Sequence, residues 1–421
     1  MTPSTVDVST PAVVLKFDRN PMHHGGLGAI RSLGRLGVPV HGVHEYRWAP
    51  AAGSRYLTDR WVWRPTGDPD RILADLTGLA RRIGRPAVLV PTDDAASIFL
   101  AEHGEPLRDD FLFPEPPADL PRMMAGKYSM YQLCRGLGVP CPETVLPATL
   151  DEARDFAARV GYPVVAKLAT PWVPGSGVRS TTIVTDGARL ADLYLTCARS
   201  GAGLLLQEFV PEGNDTDWFC HAYVGRDGES RPVFTGVKER SYPAHAGLTS
   251  MGRSMPNTRL RTQLTDLLAA IGYRGIVDVD VRLDHRDDRY QVLDLNPRLG
   301  AQFRLFRDTE GMDVVLAQYL DLTGQKVTTG EQVAGRGFVV ENYDPVAAFG
   351  YWRGGRLGLT AWLDSLRGKP ETAWFARDDP MPFALMCLRT AWRVASRPFA
   401  GTQPADTPTA AVPQGRPRER T

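Results

Sequence analysis

The sequence predicts a mixed chain, α/β in its first part and α+β beyond it. Three observations carry this. A strand, a glycine turn, a helix and a second strand follow one another from residue 12. Four prolines then break the pattern within residues 114–121 (PEPPADLP). From about residue 163 to 300 strands dominate, with one helix expected near 258–271.

Residues 12–17 (AVVLKF) read as a buried strand, NPMHHGG as a turn, LGAIRSLGRLG as a helix and VPVHGVHE as the next strand. This is the opening of a doubly wound domain. AVLVP (87–91) is a further strand, with Thr92, Asp93 and Asp94 at the end where such sheets bind ligands. HHGGLG lacks the GxGxxG spacing, so His23 and His24 read as turn residues. After the prolines, helices are expected at about 122–137 and 151–160, then a strand at YPVVAKLA and a helix around 309–323. Residues 333–397 are less legible, apart from the helix-like MPFALMCLRTAWRVAS, which predicts a docking helix. Residues 398–421 are rich in Pro, Thr, Ala and Arg and are expected to be disordered.

The 421 residues suffice for two or three domains, and a 43% apolar fraction supports a sizeable core. A formal charge of +1 gives no global field to recruit nucleic acid or an anionic membrane. No run of 18 apolar residues exists, so no transmembrane segment is expected, and the polar residues 1–11 do not read as a signal peptide. Five cysteines without a CxxC pair fit a reducing, cytoplasmic setting. Only six of the 49 basic residues are lysine, so each lysine is a candidate for a role that needs a slim ammonium.

The strongest chemistry lies in one hairpin. RGIVDVDVRL alternates with period two, which puts Asp278, Asp280 and Arg282 on one face. After the polar turn DHRDDR, the return strand YQVLDLN puts Asp294 and Asn296 on one face, Leu293 and Leu295 on the other. A turn centred near residue 287 sets Asp280 opposite Asp294 and Asp278 opposite Asn296. Opposed side chains lie about 5 Å apart. Two carboxylates that close repel unless a cation or proton intervenes. With the Asn amide oxygen they make a hard site suited to Mg²⁺ or Mn²⁺. Pro297 ends the ladder, and Arg298 is then free to meet a carboxylate or phosphoryl group.

Two lysines precede this hairpin. Lys127 opens a helix. Lys167 sits inside the apolar strand VVAKLA, where an ammonium needs an anionic partner. The loop that follows, TPWVPGSGVRS, holds Ser176 and Gly177, residue types whose backbone N–H groups can wrap phosphates. Further on, Glu208, Phe209 and Val210 end a strand broken by Pro211, leaving backbone groups that can read a base edge. Asp215 and Asp217 follow at a distance suited to ribose hydroxyls.

Taken in order, GKYSMYQLCRGLGVPCPET, GYPVVAKLA, LLLQEFVPEG and VLDLNPRLG resemble the ATP-grasp superfamily, over roughly residues 12–325. Within it the chain looks most like the carboxylate–amine ligases of the D-aspartate ligase-like group, which PTDDAAS and VKERSYPAHAGLTSMGRSM also fit. The resemblance implies an ATP-grasp fold: a Rossmann-like N-terminal α/β domain (12–118) and an ATP-grasp domain (119–325) with a small lid (about 140–210) and a β-rich part. An extension (326–397) and the tail follow. It implies that Lys127, Lys167, Ser176 and Gly177 touch ATP phosphates, that Glu208, Phe209 and Val210 meet adenine, and that Asp215, with Asp217 as competitor, meets ribose. Asp280, Asp294 and Asn296 would hold the metal, Arg298 would face an acyl phosphate, and Lys238 and Arg240 would line the substrate side. Asp where relatives often have Glu puts a two-metal site in question. The implied activity joins a small-molecule carboxylate to an amine at the expense of ATP. An ATP-grasp phosphotransferase and a silent ATP-binding regulator are the alternatives, and a homodimer would suit the apolar C-terminal helix.

Overall fold

A computed structural model describes residues 6–396 apart from Thr66, 170–180, Ala202, Asn214, His245, Ala246 and Lys369. Ser176 and Gly177 lie outside the described residues. The chain divides into two compact units. One comprises residues 1–121, 220–278 and 296–421; the other comprises residues 122–219 and 279–295.

The first unit opens with a five-stranded parallel sheet. Its order is Leu57–Val62, Val40–His44, Ala12–Leu15, Ala87–Pro91, Phe111–Leu112. The first strand is central, so the chain winds outward in both directions, as the strand–turn–helix–strand opening predicted. Val13, Leu15 and Leu89 point into one core with Ile72, Leu76, Phe99 and Phe111. Asp68 caps the helix Pro69–Ile83 and Gly84 ends it at φ 75°, the left-handed geometry a glycine supplies. Asp93, marked in the sequence by its place after a strand, caps the helix Asp94–His103. Its carboxylate also accepts from the N–H groups of Phe17 (2.6 Å) and Asp18 (3.0 Å). Burial nevertheless pushes its pKa up to about 6.

The same unit also holds neighbouring strands in the order Ser230–Tyr242, Leu248–Ser254, Gly337–Val339, Glu371–Thr372. The extension that was hard to read therefore adds two short edge strands. It also adds the helices Asp344–Arg353, Leu359–Arg367 and Met381–Ser396. The last of these packs on the turn Pro50–Gly53, the docking role expected of it. Just before it, Asp379 holds the buried Arg31 (Nε–Oδ2 3.0 Å) and accepts from Ser54 Oγ at 2.7 Å.

The second unit is built on a four-stranded sheet ordered Thr144–Val145, Leu204–Glu208, Val164–Leu168, Thr181–Val184. Val164, Ala166, Leu204 and Leu206 form its core face with Phe156, Leu190 and Cys197. Two expectations need correction. The helix expected at 122–137 is two, Leu120–Ala125 and Lys127–Gly136, broken at Gly126, whose extended backbone caps the second. The region read as strands with one helix contains another, Gly187–Arg199. It is capped by Asp186 and buries Leu190 and Cys197, seven places apart and so on one helix face.

Candidate active site

In the second unit the site is assembled by strand register. Lys167 pairs across the ladder with Leu205, and Val165 with Gln207. Lys167 and Gln207 are thus diagonal neighbours on the face opposite the core. Lys167 Nζ donates to Gln207 Oε1 at 2.9 Å, and Gln207 Nε2 donates to Thr144 Oγ1 at 3.2 Å. A polar row crosses a sheet whose other face is apolar.

Lys127 is the first residue of its helix, where the macrodipole disfavours a cation. Its Nζ lies 2.5 Å from Asp294 Oδ2, so a carboxylate offsets that local misfit. Burial pushes the Lys167 ammonium down to about 8, and the Lys127 charge acts in the same direction. Asp294 and then Asp280 oppose both. The Lys167 ammonium thus feels one further ammonium and two carboxylates.

In the same sheet, Glu208 ends its strand and pairs with Arg286 at 2.7 Å; its N–H donates to Glu143 O at 2.8 Å. Phe209 and Val210 continue beyond the ladder, Phe209 half-buried and Val210 buried. Val210 O accepts from Arg282 Nη1 at 3.0 Å. Arg282 also forks onto Asp217, Nε–Oδ1 at 2.6 Å and Nη2–Oδ2 at 3.1 Å. That commits Asp217, the competitor, to a structural pair. Asp215 is exposed and held at φ 53°.

In the first unit, Asn296 Nδ2 donates to Asp278 O at 3.2 Å, in keeping with the predicted opposition of these two residues. Asp278 itself is buried and accepts from Arg298 Nη1 at 2.7 Å, while Arg298 Nε lies 3.5 Å from Asp94 Oδ1. Gly300 is needed here, since a Cβ would fall 2.0 Å from His221 Cε1 and 2.7 Å from Asp278 Cγ. Lys238 is half-buried beside a register shift in Ser230–Tyr242. Arg240 is buried, and its guanidinium is taken by Asp344 (2.7 and 3.0 Å), which Trp362 Nε1 also reaches at 2.9 Å. Arg240, expected on the substrate side, thus has a buried carboxylate partner.

Sequence reasoning missed Gln207 and His221. Gln207 could have been found, since an amide in the apolar run LLLQEFV needs a hydrogen-bond partner. His221 lies in an apolar strand and carried no such signal.

Asp280 and Asp294 carry hard oxygen donors of the kind Mg²⁺ takes, and Asp294 already meets an ammonium, that of Lys127. No group of three His, Cys, Asp or Glu suited to a metal occurs among the described residues. A metal held by this pair would therefore need neutral oxygens as well.

The fold is that of the ATP-grasp enzymes. The chain is similar to D-aspartate ligase of Enterococcus faecium, 23% identical over 234 residues, covering 51% of this chain and 53% of that protein. It thus spans about half the length of that relative. It superposes on the biotin carboxylase domain of the Hydrogenobacter thermophilus 2-oxoglutarate carboxylase, a dimer in complex with MgADP and bicarbonate. The TM-score is 0.55, with 19% identity over 78% of this chain and 73% of that one. It also superposes on N5-carboxyaminoimidazole ribonucleotide synthetase of Thermus thermophilus, with TM-score 0.56 and 17% identity over 76% of this chain and 80% of that one. No family model matches the sequence.

Proposed function

We propose that the chain is an ATP-dependent carboxylate–amine ligase: it activates a carboxylate as an acyl phosphate and joins it to an amine of amino-acid or small-peptide type. The observation that supports this most is the pairing of Lys127 with Asp294 at 2.5 Å, together with the Lys167 ammonium that Gln207 holds on the polar face of its sheet. In this reading Lys127 and Lys167 neutralise ATP phosphates, Glu208, Phe209 and Val210 receive adenine, and Asp215 meets the ribose. Asp217 is held by Arg282 and is the weaker candidate. Asp280, Asp294 and Asn296 hold Mg²⁺, with Mn²⁺ an acceptable substitute. When bound, the ion supplies further neutralisation of phosphate charge. Arg298 serves the acyl phosphate and Lys238 the substrate; Ser176 and Gly177 remain assigned to phosphate by resemblance. The MgADP-bound and C–N bond-forming neighbours support the nucleotide, the metal and the reaction class. A homodimer and a cytoplasmic location belong to the same proposal.

The protein's share of the chemistry is positioning and charge neutralisation, with no covalent nucleophile required. The test supplies Mg²⁺-ATP and a panel of carboxylates and amines, and measures ADP and phosphate with hydroxylamine present. The proposal expects hydroxamate from one carboxylate. ADP formed without hydroxamate would favour a phosphotransferase. ATP bound without turnover across the panel would favour a regulatory protein.

A further inference from the structure

The helices Asp344–Arg353 and Leu359–Arg367 break the usual rule for surface helices, which turn a polar face to water. The inner side of the first is conventional: Asp344, Ala347 and Ala348 are buried against the strands Ser230–Tyr242 and Leu248–Ser254. Its outer side carries Val346, Phe349 and Trp352, spaced by three and each more than half exposed (55%, 55% and 57%). The second helix buries no residue, yet it presents Leu359 and Leu363, four places apart, to the outside. Between the two lies an apolar cleft of about 300 Å³, walled by Pro345, Ala348, Phe349, Trp352, Leu357 and Trp362. Its floor is fixed, because Trp362 Nε1 is tied to Asp344, which the buried Arg240 clamps with two hydrogen bonds.

The charges around this face have one dominant sign. Arg353 ends the first helix and Arg356 lies in the turn after it, both exposed, and Arg367 is exposed at the end of the second helix. Apart from the buried Asp344, the only acid in this segment is Asp364, which Arg367 already holds. Exposed Trp, Phe and Leu interleaved with Arg, and almost without acids, match the boundary between headgroups and acyl chains. There the rings and aliphatic groups sink in while the guanidiniums meet phosphates. Helices of 10 and 9 residues reach only about 15 Å, half a hydrocarbon core, so they lie on a bilayer rather than cross it. Among the described residues no helix is long and apolar enough to span.

We propose that this helical pair is a docking face for an anionic phospholipid surface, with the cleft taking the end of an acyl chain. The proposal is independent of the assigned reaction. Its test is co-sedimentation of the full chain with vesicles of phosphatidylcholine alone and of phosphatidylcholine with roughly one-third phosphatidylglycerol. The chain pellets with the anionic vesicles, less so at high salt. Phe349→Ser with Trp352→Ser lowers that binding at least about tenfold, since two buried rings are withdrawn. Both residues are exposed, so the thermal melt of this variant stays that of the parent. Arg353→Gln with Arg356→Gln lowers binding to the anionic vesicles several-fold. Failure to pellet with either vesicle overturns the proposal, as does a serine variant that pellets like the parent. A dimer dissolved by the serine changes, in a chain that ignores vesicles, also overturns it and assigns the face to a second copy.

Discussion

Asp278 Oδ2 accepts a hydrogen bond from Arg298 Nη1 at 2.7 Å, and the other oxygen of the same carboxylate lies 3.2 Å from His221 Nε2. Burial lowers the His221 pKa and Arg298 adds to that, against the pull of Asp278. The imidazole is therefore neutral at pH 7, and the compensating charge for Asp278 comes from Arg298. One carboxylate thus fixes the direction of the arginine assigned to the acyl phosphate. Asp278→Asn should cost about 3 kcal/mol in urea denaturation, the penalty for unpairing a largely buried ion pair. In turnover it should lower kcat while leaving the KM for ATP near that of the parent, because Arg298 is misdirected and the nucleotide contacts remain.

The Lys167 pKa gives a signed pH dependence. Its folded value of about 8 lies below the ordinary 10.5, so the unfolded chain binds more protons between these values. Stability should therefore rise as pH increases from about 8 to about 10.5, by roughly 2 kcal/mol once solvent screening is allowed for. Affinity for ATP should move the other way, falling as pH passes 8, because the neutral amine no longer attracts phosphate. Lys167→Arg should remove the fall, since a guanidinium stays charged throughout. Titrations of ATP between pH 7 and 9.5 check this.

Arg240 separates a structural from a catalytic assignment. Its paired contacts with Asp344 are buried, so Arg240→Ala should destabilise the chain by about 3–5 kcal/mol, read as a lower urea midpoint. Lys238→Ala, at a half-buried position beside it, should leave the midpoint within about 0.5 kcal/mol and act on turnover instead. An unchanged midpoint for Arg240→Ala would return that residue to the substrate side.

Asp294→Asn should abolish turnover while the fold persists, because the residue is partly exposed and its partner Lys127 can turn to solvent. Circular dichroism and phosphate release measured on one preparation check both halves. Full activity in this variant would refute the metal assignment.

Much of this was legible because period-two alternation sorts residues by face. Asp280 and Asp294 each occupy the polar phase of a strand whose other phase is Val or Leu, and alternation with a turn near residue 287 set them opposite each other, while Lys167 stood out as a lone charge in an apolar strand. The doubly wound opening was legible for a similar reason, from a buried strand followed by a glycine turn. What stayed hidden depends on partners distant in sequence. Arg240 meets Asp344 across 104 positions, and Arg31 meets Asp379 across 348. Neither pairing leaves a local pattern. The helix Gly187–Arg199 was missed because its core contacts, Leu190 and Cys197, are few and the strands around it set the expected period.

The central claim is that Lys127, Lys167, Asp280 and Asp294 form a Mg²⁺-nucleotide site. The most direct measurement is calorimetric titration of a non-hydrolysable ATP analogue into the chain, with and without Mg²⁺, for the parent and for Lys167→Met. Binding to the parent should depend on Mg²⁺, and Lys167→Met should weaken it at least about tenfold, the equivalent of one lost charge-assisted contact. Equal affinity in the two proteins, or binding indifferent to Mg²⁺, would contradict the claim.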